Sequence, residues 1–199
     1  MAKNNNIIFQ TLNDEIKNCR SCEDNLPMGA NPIIQIHPDA KILIAGQAPG
    51  RIVHETNIPF NDQSGNRLRQ WMGIEKNIFY DPTKIAILPM GFCFPGSGKS
   101  GDLPPRKECA SKWHSQIFSQ FNNAELVILI GTYAINYYLK ETKKRNLTET
   151  VRNFEEYFES HFPIVHPSGL NFRWHAKNKW FKIDVVPVLQ LRVKEILNT

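Results

Sequence analysis

Continuous apolar runs that end in glycine or proline turns alternate along this chain with segments of helical periodicity. The runs cover residues 41–46, 84–92, 124–131 and 162–169. Strands without polar alternation are typically buried on both faces, so these runs indicate a parallel sheet covered by helices. The order predicts an α/β fold, a three-layer α/β/α sandwich around a mostly parallel, four-stranded central sheet.

The segments around the strands complete this prediction. We predict helices over residues 7–18, 64–74, 108–121, 132–140 and 178–198, a partly helical segment over 148–160, and a loop over the Gly- and Pro-rich residues 92–109. The polar stretch that follows residue 50 is also predicted to be loop. In parallel sheets of this kind ligands bind beyond the carboxyl ends of the strands, so the turns there are expected to converge on one cleft.

The length of 199 residues is enough for one well-buried domain, and residues 1–199 are predicted to form a single domain. The start, MAKNNNIIFQ, lacks the apolar region of a signal peptide, and no apolar run approaches the ~20 residues that span a bilayer. We therefore expect a soluble, cytoplasmic protein with no membrane association. The net charge of +5 fits either simple solubility or a polyanionic partner such as nucleic acid.

Four cysteines form two closely spaced pairs. Cys19 and Cys22 make a C-x-x-C motif, and Cys93 and Cys109 follow downstream with a short interval between them. Disulfides are rare in cytosolic chains, so this spacing favours a four-thiolate metal site, zinc or an iron–sulfur cluster, over four unrelated reduced thiols.

The turn after the first apolar run, residues 46–50, presents main-chain N–H groups that can hold an anion or an oxygen acceptor. Farther along the same loop, Phe60 is either a stacking surface for a ligand or a core aromatic. Asp62 is either a chemical group of the site or the cap of the helix that begins near Ser64. The loop therefore offers a backbone cradle, a ring and a carboxylate.

A second polar turn, HPSGLNFRW, follows the last apolar run at residues 166–174. His166 can donate a hydrogen bond to a ligand oxygen, although a histidine at a strand end is often structural. Ser168 can bind a phosphate through its hydroxyl group and main chain. The residues that follow combine apolar side chains with Arg173, which suits a surface that enters a nucleic-acid groove.

These features together resemble the uracil-DNA glycosylase superfamily, most closely its iron–sulfur-containing bacterial branch. GQAPG, IPF and SGNRLR, at residues 46–50, 58–60 and 64–69, are similar to the first motif and its continuation. HPS at residues 166–168 is similar to the second motif, and the cysteines follow the order and approximate spacing of the branch's cluster ligands. The resemblance covers residues 10–195.

The resemblance implies a role for each matching residue. Phe60 would stack on a base flipped out of DNA, and His166 would donate toward the pyrimidine O2 and stabilise the departing anion. Ser168 would hold a DNA phosphate. The first motif would line the base pocket with Gly46, Ala48, Pro49 and Gly50. Gln47 would touch the flipped base as well and would belong to the catalytic group with His166 and Asp62. Residues of the second loop would enter the minor groove, namely Leu170, Asn171 and Arg173. A [4Fe–4S] cluster would be held by Cys19, Cys22, Cys93 and Cys109 as a structural clip.

The chain departs from the family pattern in the first motif, at Pro89, and at Gly169, where HPSG replaces the commoner HPS-Pro. Characterised members have an acidic residue in the first motif or otherwise orient a water from it, whereas this chain has Gln47 and Ala48. Asp62 is expected to supply the missing carboxylate, with Glu55 and His54 as other possible sources on the same loop. Pro89 stands four residues before the third cysteine, where the iron–sulfur branch has an asparagine that reads the uracil edge.

The resemblance predicts a monofunctional DNA glycosylase of base excision repair. It would hydrolyse the N-glycosidic bond of uracil or a related deaminated base and act as a monomer on damaged DNA. One alternative is a non-catalytic member of the same fold that binds DNA or a base. A second alternative, outside this family, is a nucleotide hydrolase stabilised by zinc on the four cysteines.

Overall fold

The central feature of the fold is a four-stranded parallel sheet. The computed structural model describes residues 2–121 and 123–198, without the side chains of residues 2–6. Its strands are β1 (Ile42–Ala45), β2 (Ile85–Ile87), β3 (Ser97–Gly98), β4 (Gly101–Asp102), β5 (Leu126–Ile130) and β6 (His161–Ile164). The sheet has the order β2-β1-β5-β6, and all its pairings are parallel. Strands β3 and β4 form a separate antiparallel hairpin.

Helices cover the sheet and complete the predicted α/β/α sandwich. They are α1 (Ala2–Lys17), α2 (Arg51–Thr56), α3 (Gln63–Met72), α4 (Lys76–Phe79), α5 (Lys107–Phe118), α6 (Gly131–Tyr138), α7 (Leu147–Arg152), α8 (Phe172–Lys177) and α9 (Val186–Asn198). Short 3-10 turns cover Glu23–Asn25, Phe154–Tyr157 and Gly169–Asn171, and a π-helical turn, Phe181–Val185, precedes α9. Within the described residues, no helix has the length and apolarity needed to cross a membrane.

Burial explains why the strands could be predicted. Every residue of β1, β2 and β5 is buried, as expected for strands covered on both faces. In the register of the sheet, Ile44 of β1 lies between Ile87 of β2 and Ile128 of β5. Strand β2 ends at Ile87, although the main-chain N–H groups of Leu88 and Met90 still donate to the Ile44 and Gly46 carbonyls of the neighbouring chain segment, each at 2.8 Å. The apolar run from residue 84 to 92 is therefore longer than the strand it contains.

Two segments predicted as loop contain regular structure. Residues 51–56 form α2, which ends at Asn57 in the left-handed conformation, with φ 57°. Only Val53 of this helix is buried, so the sequence carries no apolar stripe to reveal it. The Gly- and Pro-rich loop contains the β3–β4 hairpin, in which Gly101 adopts a φ of 127° that favours glycine.

Helix α1 joins the fold through a second, smaller apolar cluster. Leu12 and Ile16 of α1 pack there with Trp113 and Ile117 of α5, and Phe92 completes the contact. This packing places the end of α1, and the C-x-x-C motif that follows it, beside the start of α5.

The sheet changes winding direction between β1 and β5. From β1 the chain moves outward to β2, and it later returns to the other side of β1 to form β5 and then β6. Ligand sites of such folds lie at this switch point, beyond the carboxyl ends of the strands. The turn at residues 46–50 follows β1 there, and His166 follows β6. Gly131, which follows β5, adopts a φ of 76°, and a methyl group placed on it would lie 3.5 Å from His166 Cβ.

Candidate active site

A cavity of about 540 Å³ lies at the carboxyl ends of the strands. It is lined by the turn after β1, the loop before α3, the turn after β6 and the β3–β4 hairpin. The sequence-predicted residues that it brings together are Gly46, Gln47, Ala48, Pro49, Gly50, Phe60, Asp62, His166, Ser168, Leu170 and Asn171. The two motifs, more than a hundred residues apart in sequence, therefore form one site.

Phe60 packs against the core and also faces the cavity, the two environments considered for it from the sequence. Its ring packs edge-on against buried Phe79, with centroids 6.2 Å apart, and it also lines the cavity. The ring lies above the first motif, since a methyl group placed on Gly46 would be 3.4 Å from Phe60 Cζ. The main chain of Phe60 is left-handed, with φ 52°, a conformation that costs energy for a bulky residue.

Asp62 caps helix α3 and also lines the cavity. Its Oδ1 accepts a hydrogen bond of 2.8 Å from the main-chain N–H of Gly65. This bond satisfies one of the free donors at the start of the helix and fixes the carboxylate. The negative charge of Asp62 opposes the effect by which burial lowers the pKa of His166, and it adds to the effect by which burial raises the pKa of Asp102.

His166 is held as a neutral imidazole with a defined donor. Burial lowers its pKa below the ordinary value, and the nearby charge of Asp62 only partly opposes that effect. Its Nδ1 accepts a hydrogen bond of 3.2 Å from the main-chain N–H of Ser168. In the neutral ring the proton therefore lies on Nε2, which can donate to an oxygen acceptor.

Two side chains fix the turn around His166, one from the same loop and one from α3. Asn171 Nδ2 donates to the His166 carbonyl at 2.7 Å, and Arg67 of α3 donates to the Pro167 carbonyl at 2.7 Å. Ser168 Oγ accepts a hydrogen bond from the Leu170 main-chain N–H at 3.2 Å, so its own hydroxyl hydrogen can be donated elsewhere. The loop that carries the imidazole is thus tied to the helix that Asp62 caps.

Among the cavity residues that sequence reasoning missed is a carboxylate, Asp102 of the hairpin. A methyl group placed on Gly50 would lie 3.2 Å from Asp102 Oδ2, so this carboxylate lies against the first motif. Ser97 Oγ donates to its other oxygen at 3.3 Å. Partial burial and the charge of Asp62 raise the pKa of Asp102, outweighing the opposite effect of the Ser97 hydrogen bond.

The hairpin is joined to the first motif by Gln47. Its Nε2 donates to the Leu103 carbonyl at 3.2 Å, so the amide group connects the hairpin to the turn after β1. Pro89 lines the cavity as well, and its carbonyl faces Nε2 of the buried His114 at 3.0 Å. The position expected to read the base edge therefore carries a ring with no side-chain donor.

Three residues considered from sequence do not line the cavity in the described part of the chain. Glu55 accepts a 2.9 Å hydrogen bond from Arg51 on exposed α2, and the His54 ring lies 6.1 Å from that of Phe94. Neither is placed to supply the missing carboxylate or its equivalent. Arg173 is exposed on α8, with its guanidinium 5.6 Å from the Phe172 ring centroid.

The four cysteines are all free and gather in one region between α1, the loop after β2 and the start of α5. They lie close enough together for the charge of one thiolate to shift the pKa of a neighbouring thiol. Burial raises the pKa of Cys93 to about 11 and that of Cys109 to about 12, and the charges of Cys19 and Cys22 add to both shifts. With these pKa values both thiols are protonated at neutral pH.

Main-chain donors reach two of the four cysteine side chains. No group of three or more His, Cys, Asp or Glu side chains in residues 2–121 and 123–198 is arranged to hold one metal ion. The sulfur ligands of iron–sulfur clusters usually accept main-chain hydrogen bonds. Phe92 N–H donates such a bond to Cys109 Sγ at 3.3 Å, and the main chain of Asn31 donates one to Cys93.

The fold and cavity define an α/β protein with a ligand site at the switch point of a parallel sheet. Residues 34–190 match the model of the family described as the Uracil DNA glycosylase superfamily. This span is well over half of the chain, so the chain belongs to that superfamily. It contains both motifs, the hairpin, Cys93 and Cys109, whereas Cys19 and Cys22 precede it. The predicted superfamily is confirmed, and membership supports a glycosylase that acts on damaged DNA.

Proposed function

We propose that this protein is a monofunctional DNA glycosylase of base excision repair. Its substrate would be uracil, or a related deaminated base, flipped out of DNA, and it would act as a cytoplasmic monomer. The observation that carries the proposal is the meeting of Phe60, His166 and Asp62 in one cavity, in a chain of this superfamily. They supply a stacking surface for the base, a hydrogen-bond donor for the departing anion and a negative charge for the cationic sugar.

The base would be bound by stacking and by one directed hydrogen bond. The ring of Phe60, fixed by Phe79, offers a rigid face to a planar base. When the bond between sugar and base breaks, its electron pair moves to the base and makes an anion. The Nε2–H of His166 is the donor assigned to the oxygen on which that charge develops. The negative charge of Asp62 favours the cationic sugar that forms at the same time.

The DNA backbone would be held by the loop after β6. Leu170 and Phe172 project large apolar side chains that are 69% and 65% exposed, which suits a wedge that fills the space left by the flipped nucleotide. Ser168 and Arg173 supply a hydroxyl group and a positive charge for phosphates. These contacts are independent of sequence, so binding is expected to weaken as salt concentration rises.

The four cysteines would hold a [4Fe–4S] cluster with a structural role, and zinc is the alternative ligand. In this proposal the cluster ties the end of α1 to the loop that follows β2. A brown protein that contains iron and sulfide in stoichiometric amounts would support the cluster, whereas a colourless protein that contains zinc would support the alternative.

The proposal is tested with a panel of oligonucleotides that carry uracil, hypoxanthine or xanthine, each in single-stranded and duplex form, with undamaged DNA as control. The products are treated with alkali, which cleaves the strand wherever a base has been released. We expect cleavage of at least one damaged substrate and none of the control. His166→Ala, assayed in parallel, distinguishes intrinsic activity from a contaminating enzyme.

A second candidate function is binding without cleavage, which the absence of a carboxylate from the first motif favours. Tight, salt-dependent binding to uracil or abasic DNA, without release of any base and unchanged in Asp62→Ala, would support this function over the first. Hydrolysis of small nucleotides by a zinc-containing protein that does not bind DNA would contradict both.

A further inference from the structure

The hairpin brings a second carboxylate to the cavity, from a segment that the sequence motifs do not include. We propose that Asp102 is a second catalytic carboxylate and accepts the proton of the attacking water, while Asp62 stabilises the cationic sugar. This inference rests on the proposed glycosylase function and assigns its water-activating group.

The hairpin is fixed against both motifs, so Asp102 has a defined position. The Gln47 amide reaches the Leu103 carbonyl at 3.2 Å, and the Leu103 main-chain N–H donates to the Gly96 carbonyl at 2.8 Å. On the other side, a methyl group placed on Gly101 would lie 3.4 Å from Leu170 Cδ1. The carboxylate of Asp102 therefore lies between the turn after β1 and the loop after β6, the two elements that would contact the base and the DNA.

The two carboxylates differ in what occupies their oxygens. Asp62 Oδ1 is committed to the main-chain N–H of Gly65, which holds Asp62 in place as a fixed negative charge. Asp102 makes only one side-chain hydrogen bond in the described residues, the 3.3 Å contact from Ser97. A pair of carboxylates in different environments is the usual arrangement for two different roles in hydrolysis. The raised pKa of Asp102 agrees with the role of proton acceptor.

The reaction then balances as a simple hydrolysis. The bond between the sugar C1′ and the base nitrogen breaks, and its electron pair leaves with the base as an anion that His166 stabilises. A water oxygen forms the new bond to C1′, and the water gives one proton to the Asp102 carboxylate. Solvent later receives that proton and protonates the free base. No oxidant, reductant or second substrate is needed.

The test compares Asp102→Asn with a charge-matched control, Asp184→Asn. Asp184 is exposed before α9 and does not line the cavity, so its substitution makes the same change in net charge. Single-turnover base release is measured on the substrate that the oligonucleotide panel identifies. Affinity is measured on the same oligonucleotide carrying a 2′-fluoro sugar, which resists cleavage. We expect Asp102→Asn to slow release by about 10²-fold or more and to change affinity less than threefold. Asp184→Asn should match the wild type in both measurements.

A second variant, Ser97→Ala, tests the assignment without removing the carboxylate. The Ser97 hydrogen bond lowers the pKa of Asp102, while Asp62 is the charged group that raises it. Removing the hydroxyl group should therefore move the acid limb of the rate profile to higher pH, with the maximal rate retained. The same limb should be absent from Asp102→Asn, provided that both variants melt like the wild type.

Three results would overturn the inference. Release by a folded Asp102→Asn within threefold of the wild-type rate would refute the catalytic role and leave the glycosylase function intact. An unchanged acid limb in Ser97→Ala would show that another group accepts the proton. If the wild-type protein releases no base from any substrate, the glycosylase function itself fails, and the role of Asp102 fails with it.

Discussion

Gly65→Ala is the substitution for which the structure makes its sharpest prediction. Gly65 lies in the first turn of α3, directly against the left-handed main chain of Phe60. A methyl group at Gly65 would overlap the Phe60 carbonyl oxygen and lie 2.7 Å from the carbonyl carbon. Main-chain atoms cannot rotate away as a side chain can, so the loop that carries Phe60 must move.

The expected loss of stability has two sources. Overpacking of a well-packed site costs about 1–3 kcal/mol. Displacing the loop also weakens the Asp62 cap on the Gly65 N–H, a bond worth about 0.5–2 kcal/mol. Together they predict a decrease of roughly 3 kcal/mol in the free energy of unfolding. Because Phe60 and Asp62 both move, base release should fall by more than tenfold even at temperatures where the variant stays folded.

The matched control is Gly169→Ala, since a methyl group there would meet no atom within 4 Å. Urea unfolding of the two variants and the wild type gives the stability differences, and the oligonucleotide assay gives the rates. Gly169→Ala should unfold within about 0.5 kcal/mol of the wild type. A Gly65→Ala protein that unfolds at the wild-type urea concentration would refute the close contact between α3 and the Phe60 loop.

Two further predictions concern histidines. His166→Ala should reduce single-turnover base release by about 10²–10³-fold and leave DNA affinity nearly unchanged, because the lost donor acts on the charge that develops in the transition state. A rate within threefold of the wild type would exclude His166 as that donor. For His114, burial lowers the pKa to about 4, whereas the unfolded chain keeps the ordinary value of 6.5. The unfolded state therefore binds more protons between these values, and stability should fall by roughly 3 kcal/mol as pH is lowered through them. His114→Gln should flatten this slope in urea titrations at pH 7 and pH 5, and an unchanged slope would assign the acid sensitivity to other groups.

The strands of the sheet could be predicted because strands buried on both faces appear in the sequence as continuous apolar runs. A run such as residues 126–130, buried at every position, leaves no polar alternation and ends in a glycine. The same reasoning placed the two cavity turns at one edge of the sheet. This reasoning missed the helix at residues 51–56, because a helix that buries only Val53 shows no apolar periodicity.

The candidate site was predictable where its residues follow strands and was missed where tertiary contacts position them. Composition correctly indicates that residues 92–109 are rich in turns, but the hairpin within them is fixed by Gln47 and Leu170, which lie far away in the sequence. Asp102 could not be singled out without those contacts. Phe60 and Asp62 show a different limit, since the sequence presented a structural position and a position in the site as alternatives. Phe60 packs on Phe79 and Asp62 caps α3, and both also line the cavity.

The cysteines bear on the cavity because Cys93 and Cys109 flank the loop that carries the hairpin. If a cluster ties this loop to the end of α1, its loss should free the hairpin while leaving the His166 turn in place. Cys109→Ser is therefore expected to lower the bound iron and sulfide and to speed amide hydrogen exchange in residues 97–103, with little change in residues 166–171. Ser111→Ala, an exposed substitution on the same helix, is the control.

The pattern of amide hydrogen exchange distinguishes a cluster that holds the hairpin locally from a metal site that only stabilises the whole domain. Loss of a metal that only adds global stability would raise exchange in the cavity turns and the hairpin together, because both would open through unfolding of the whole domain. A local clip would release the hairpin alone and slow base release through the displaced Asp102, with DNA affinity retained. Unchanged iron, sulfide and hairpin exchange in Cys109→Ser would refute the clip, since Cys109 would then bind no cluster on which the loop depends.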